Sequence, residues 1–230
     1  GGRDIGIAAD MLKAARKAMV PPFEVSVFAD PSGAFTTAAA VVACVERQLR
    51  RMDAGALDGK SVVVFGGTGP VGAVAALLAA EAGARATIVS RTLQHAQSTA
   101  SELRERYGPT IAVAAMDEGL AALRSAEIVL ACGRAGVRLV TAAQLATAAR
   151  LLVAVDVNAV PPSGVEGIGA MDDGAQLAAA SGKAAGIGAL AVGGVKFQTQ
   201  RSMLESMREG GKAVYLDFRD AFDVARQRAS

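Results

Sequence analysis

The stretch Gly67-Thr68-Gly69-Pro70-Val71-Gly72 has the spacing G-x-G-x-x-G, follows the β-branched run "SVVVFG" (61–66) and opens an alanine-rich run. In that setting the first glycine allows a tight turn, the second lets backbone approach a pyrophosphate, and the third permits close helix–strand packing. The anion then rests on the N–H groups of the helix N-terminus. Plain helix–sheet contact is the competing reading of three small residues, but a second strand about twenty residues on favours a dinucleotide. That strand, "ATIVSR" (86–91), ends at Ser90-Arg91-Thr92 without a carboxylate. An acid there would bond a ribose 2′-hydroxyl and repel a 2′-phosphate, whereas arginine grips the phosphate through charge-assisted hydrogen bonds. The expected cofactor is NADP, with NAD use left open; the alternative for Arg91 is a solvated residue at a helix start.

Two later turns belong to the same edge. "CGRAG" (132–136), with Cys132 and Gly133, and "DVNAVPPSGVEGIG" (156–169), with Asn158, Ala159 and Pro161, each follow a strand-like run. In a doubly wound sheet ligands lie beyond the carboxyl ends of strands, so these turns are expected to meet the ribose and nicotinamide end. Rigid connections of Pro and Gly are the competing reading.

His95 is the sole histidine, one turn into the helix after Arg91 and so at the adenosine end, where a surface role is expected. No Ser-His-Asp, Cys-His or H-E-x-x-H arrangement occurs, which disfavours nucleophilic and zinc hydrolases. Oxidation of an alcohol needs a base for the hydroxyl proton. Oxidation of a methylene carbon held between two nitrogens releases hydride alone and leaves a resonance-stabilised cation, so positioning and a matching electrostatic environment suffice.

The elements that must hold these residues alternate. Strand-like runs at 61–66, 86–91, 110–115, 126–133 and 151–158 are separated by helical stretches at about 70–82, 92–107, 117–124 and 141–148. Apolar strands between helices predict an α/β, doubly wound parallel sheet. Residues 1–57 differ: helix-like "GRDIGIAADMLKAARKAM", one strand-like run "FEVSVFAD" (23–30), then the long helix-like "TTAAAVVACVERQLRRM" (36–52). One strand cannot satisfy its own edges. The segment reads as the remnant of a second α/β domain whose other strands lie upstream or come from another chain; a start at "GGRDIG" without methionine fits removal of upstream sequence. The expected division is 1–57 for that remnant, 58–190 for the nucleotide domain and 191–230 for C-terminal helices that cross back to the first segment, with Asp217 capping the last helix.

Composition narrows the classes. At 230 residues with 52% apolar content the chain folds, and its net charge of +2 is too scattered for a nucleic-acid footprint. Cys44 and Cys132 are far apart without a histidine nearby, so neither a disulfide framework nor a metal site is expected, and a reducing cytoplasm fits. No apolar run approaches the roughly 20 residues of a membrane span.

Three stretches together resemble one family: "FADPSGAFTTAAA" (28–40), "GGTGPVGAVAALLAAEAGARATIVSRTLQHA" (66–96) and "VDVNAVPPSGVEGIG…GKAAGIGALAVGGVKFQTQR" (155–201). It is the NADP-dependent methylene-tetrahydromethanopterin dehydrogenases of methylotrophic bacteria; enzymes acting on methylene-tetrahydrofolate share much of the pattern. The resemblance implies hydride transfer from the methylene carbon to NADP, giving the methenyl form, with the pterin between the N-terminal and nucleotide domains and a homo-oligomeric assembly. It places Thr68 to Val71 and Arg91 in the cofactor segments. Lys196 of "GGVK" falls at a lysine facing the active-site cleft, where it orients the pterin or tunes charge around the cationic product; a surface or capping lysine is the equal alternative. Asp30, Thr36 and Thr37 fall at a strand-to-helix turn facing the same cleft. A shikimate- or quinate-like dehydrogenase, and a non-catalytic NADP-binding module, are the competing functions.

Overall fold

The computed structural model describes residues 2–209 and 211–229. Gly1, Gly210 and Ser230, which fall within the first and third expected segments, lie outside them. The chain runs α1 (Ile5–Ala18), β1 (Val27–Phe28), α2 (Ala34–Arg51), β2 (Ser61–Phe65), α3 (Pro70–Glu81), β3 (Arg85–Ser90), α4 (Leu93–Tyr107), β4 (Ala112–Ala115), α5 (Met116–Ala122), β5 (Ile128–Ala131), α6 (Ala142–Leu145), β6 (Val153–Asp156), β7 (Asp173–Gln176), β8 (Ala185–Ile187), α7 (Ala189–Glu209), β9 (Tyr215–Leu216) and α8 (Phe218–Arg228).

The main sheet has the order β4-β3-β2-β5-β6-β8-β7. All neighbours are parallel except β7, which is antiparallel to β8. From β2 the chain steps outward to β3 and β4, then returns to the other side of β2 for β5. This reversal opens a crevice at the carboxyl ends of β2 and β5. Side chains alternate across the sheet: Val62, Val64, Ile88 and Leu130 enter the core beneath α2 and α3, while Val63, Phe65, Val89 and Val129 enter the core on the other face with Leu123 and Leu145. Period two with both faces apolar is what burial between two helical layers requires.

α3 is apolar all round, and its residues Gly72–Ala79 are all buried. A helix without a polar face belongs in the interior, and here α2 lies over it, with small residues such as Ala39 and Ala43 in the same core. α7 and α8 pack on α2 in turn. Phe218 of α8 is 1% exposed and makes edge-to-face contacts with Phe35 and Tyr107 at 5.4 and 5.3 Å between ring centres. Arg226 bonds Glu46 of α2 through two nitrogens at 2.8 and 2.7 Å, and Arg219 bonds Glu81 of α3.

The strand-like run at 23–30 shortens to Val27–Phe28, and it is not partnerless. β1 pairs in parallel with β9, Val27 opposite Tyr215 and Phe28 opposite Leu216. The partner on that one edge comes from this same chain. A two-residue strand some 190 positions downstream carries no periodicity, so the pairing has no sequence signature.

The turn before α2 is held by Asp30. Its carboxylate accepts from the Phe35 and Thr36 N–H groups at 2.9 and 3.2 Å, from the Thr36 hydroxyl at 2.7 Å and from Gln200 Nε2 of α7 at 2.9 Å. It satisfies orphan donors of α2 and fastens α7 to that end. Replacing Asp30 with alanine is expected to lower the unfolding free energy by about 1–2 kcal/mol, read as a fall in the urea midpoint with unchanged slope.

Candidate active site

The glycine turn joins β2 to α3, and its geometry reassigns the glycines. Gly67, first of the motif, has an ordinary backbone; the left-handed residue is Gly66, at φ +71. A Cβ on Gly66 would stand 2.6 Å from both Cα and N of Gly133, so this glycine lets the β2 turn and the β5 turn meet backbone to backbone. Gly72 packs as expected, since a Cβ there would be 2.5 Å from the Gly66 carbonyl oxygen. Gly69 caps α3 with no side-chain bond, and Pro70 follows it inside the first turn. The first-turn N–H groups of such a helix lack intrahelical partners and favour an anion.

Beside this turn lies a cleft of about 360 Å³, walled by residues at the carboxyl ends of four strands, β2, β3, β4 and β5. Thr68 and Gly69 come from the β2 turn, Ser90 and Arg91 from the end of β3, and Cys132 and Gly133 from the end of β5. All six are among the residues expected from the sequence to meet the cofactor. Gly66, Val89, Met116, Arg134, Val137 and Leu139, which also line the cleft, are not. Gly66 was signalled by the doubled glycine, and Arg134 by its place in "CGRAG"; the apolar wall residues carry no signal of their own. No Asp or Glu is among the lining residues. Arg91 is exposed and forms no hydrogen bond or ion pair with another described residue. Burial, and after it the charge of Asp156, push the Cys132 thiol up to about 12, so it is a neutral wall residue and not a nucleophile.

The other expected cofactor residues are not among those that line this cleft. Gly67 is buried under Ile88, and Pro70, Val71 and Gly72 begin α3. Ala159 and Pro161 are exposed on the loop after β6. Asn158 is buried and spends its amide on that loop, accepting from Val160 N–H at 3.0 Å and donating to the Pro162 carbonyl at 3.1 Å. Beneath it Asp156, 1% exposed at the end of β6, accepts from the N–H groups of Asn158 at 2.9 Å and Val165 at 3.2 Å. Leu139 N–H bonds the Gly164 carbonyl at 2.8 Å and Arg138 Nε bonds that of Ser163 at 2.6 Å, which joins this loop to the β5 turn. His95 is exposed in the first turn of α4.

Lys196 lies two turns into α7, half-buried, with its Nζ so near the turn before α2 that a Cβ on Gly33 would stand 2.7 Å from it. Its ammonium forms no hydrogen bond or ion pair with another described residue. Thr37 donates to the Gly33 carbonyl at 2.6 Å, and Asp30 and Thr36 are bonded to each other in the same turn. α7 starts directly after β8. The N-terminal end of α7 thus lies at the carboxyl edge of the sheet, the edge that carries the glycine cleft. The structure brings Lys196 together with the Asp30 turn although they are far apart in the chain.

A doubly wound sheet with a glycine turn at its reversal and an acid-free cleft beside it defines a nicotinamide-nucleotide-dependent oxidoreductase. Residues 48–176 match the family described as shikimate / quinate 5-dehydrogenase, and residues 1–32 match the N-terminal family of methylene-tetrahydromethanopterin dehydrogenase. The chain is 45% identical to the NAD(P)-dependent methylenetetrahydromethanopterin dehydrogenase of Methylorubrum extorquens over 98% of its own length and 76% of the relative's. It is 34% identical to that organism's bifunctional protein MdtA, over 100% of this chain and 77% of the other. The chain belongs to the family of NAD(P)-dependent methylenetetrahydromethanopterin dehydrogenases. Among solved structures, quinate dehydrogenase from Corynebacterium glutamicum in complex with NAD aligns over 94% of this chain and 80% of its own, with a TM-score of 0.53 at 13% identity. The transhydrogenase of Sinorhizobium meliloti aligns over 84% and 53%, with a TM-score of 0.51 at 17% identity. Both share the fold.

Proposed function

We propose that this protein oxidises methylene-tetrahydromethanopterin to its methenyl form, passing hydride from the methylene carbon to NADP. The observation that carries the reading is the position of Lys196: an unpaired ammonium at the Asp30 turn, on the helix that starts from the sheet edge bearing the acid-free cleft. NADP, when bound, supplies the hydride acceptor. The chain's own residues bind and orient. Gly66 and Gly69 shape the turn that faces the pyrophosphate, and Arg91 meets the 2′-phosphate. Gly133 and the loop of Asn158, Ala159 and Pro161 shape the nicotinamide end. Lys196 aligns a pterin carbonyl or acidic tail by a charge-assisted hydrogen bond. Asp30 and Thr37 hold the turn on which the pterin lies, and Asp30 acts as a positioning residue because its carboxylate is committed to α2 and Gln200. The only histidine lies beside the Arg91 turn, which suits a reaction that needs no proton acceptor.

In this reading residues 1–57 with α7, β9 and α8 form the pterin-side body, and 58–190 form the nucleotide domain. No described helix is long and apolar enough to cross a membrane; a cytoplasmic homo-oligomer is the assembly the family membership supports.

The test is reduction of NADP on addition of methylene-tetrahydromethanopterin, with methylene-tetrahydrofolate, shikimate and quinate as parallel substrates. Turnover with shikimate or quinate and with neither pterin would replace this reading by the one that the match over 48–176 favours. Lys196→Gln is expected to raise the KM for the pterin about tenfold, the scale of one charge-assisted hydrogen bond, while calorimetric NADP affinity stays unchanged.

A further inference from the structure

Two arginines, not one, face the cleft beside the glycine turn. Arg91 follows β3 and Arg134 follows β5, and β2 lies between those strands, so the two cations flank the β2 turn. Arg134 is exposed, and its guanidinium bonds no described residue. Its neighbour Arg138 is different: it bonds the Ser163 carbonyl and pairs with Glu166 at 3.0 Å. One arginine of this segment is thus committed to structure and the other is free. Two unpaired guanidiniums in a cleft lined by no carboxylate repel each other until an anion of matching charge enters.

We propose that Arg134 is a second residue for the cofactor's 2′-phosphate and, with Arg91, sets the preference for NADP over NAD. This rests on the NADP reading above. The pyrophosphate is served by backbone N–H groups at the start of α3. The 2′-phosphate is a separate group that carries close to two negative charges at neutral pH and three acceptor oxygens. Two planar forks can share it, each making paired bonds.

The experiment is isothermal titration calorimetry of the whole protein with NADP, NAD and 2′,5′-ADP, on wild type, Arg91→Gln, Arg134→Gln and Arg134→Lys. Arg134→Gln is expected to weaken NADP and 2′,5′-ADP by about tenfold or more, the scale of a hydrogen bond to a charged group, and NAD by less than about threefold. Arg134→Lys, which keeps charge and loses the fork, falls between. An unchanged thermal midpoint checks folding. Equal losses for NADP and NAD, or no loss for either, overturn the assignment of Arg134. If wild type binds neither NADP nor 2′,5′-ADP, or Arg91→Gln also fails to separate NADP from NAD, the NADP reading itself falls and the proposal with it.

Discussion

Gly66→Ala should abolish useful cofactor binding, with NADP affinity reduced at least about a hundredfold, a loss of roughly 2.7 kcal/mol. Two effects act at one atom. The backbone at Gly66 sits at φ +71, where a side chain is strained. The new Cβ would also lie 2.6 Å from Cα and N of Gly133, which are backbone and cannot rotate away. The turns after β2 and β5 must separate, and both line the cleft. Overpacking of this kind costs about 1–3 kcal/mol in stability, so urea denaturation should report a lower midpoint beside the calorimetric loss. Gly69→Ala is the control. Its backbone is ordinary, and its added Cβ meets only the Gly66 carbonyl oxygen, at 3.3 Å. Stability should hold while NADP weakens, because Gly69 lines the cleft. Wild-type affinity in Gly66→Ala would show that the contact with Gly133 does not shape the site.

Asp156→Asn should destabilise the fold by about 2–4 kcal/mol and loosen the nicotinamide-side loop. The carboxylate at the end of β6 accepts from the N–H groups of Asn158 and Val165, and a Cβ on Gly164 would lie 2.9 Å from its Oδ1. An amide of the same shape turns one acceptor into a donor facing donors, leaving a buried N–H unpaired at about 1–3 kcal/mol, besides losing bonds to a charged group. Burial raises the Asp156 pKa; the N–H groups of Asn158, Val165 and Gly164 oppose the shift, with Arg138 helping them. The sign of the pH dependence follows. A carboxyl with a raised pKa binds its proton more tightly folded than unfolded, so stability falls as pH rises from the ordinary carboxylate value of 3.8 through the raised one. Unfolding free energies measured across that window should show this slope in wild type and lose it in Asp156→Asn. The same variant should raise the KM for cofactor, because Asn158, Ala159 and Pro161 hang from this anchor. An unchanged pH slope would remove Asp156 as its source.

Much of the main sheet was legible in the chain. Five strands of the main sheet follow from apolar runs set between helical stretches, since strands covered on both faces need apolar residues at every position. Arg91 follows from the end of β3, because a missing carboxylate is readable in one dimension. β7 and β8 were not foreseen: "DGAQ" is exposed at the sheet edge and "AGI" is three residues long. Strands that short owe their place to neighbours, and periodicity has nothing to count. The assignment of the tight turn to Gly67 failed for a similar reason, since the glycine that needs φ above zero is fixed by what packs opposite, here Gly133.

By itself the sequence determined the class: alternating strands and helices, a glycine turn, an arginine where an acid would select NAD, and no histidine placed to act as a base. These are local properties, set by residue type and spacing along a few turns of chain. Only the tertiary structure decided what lies far apart in sequence and close in space. It paired Val27 and Phe28 with Tyr215 and Leu216, bonded Asp30 to Gln200, and put Lys196 over Gly33. It also set Arg134 across the glycine turn from Arg91, a pairing made by strand order, which no spacing along the chain records.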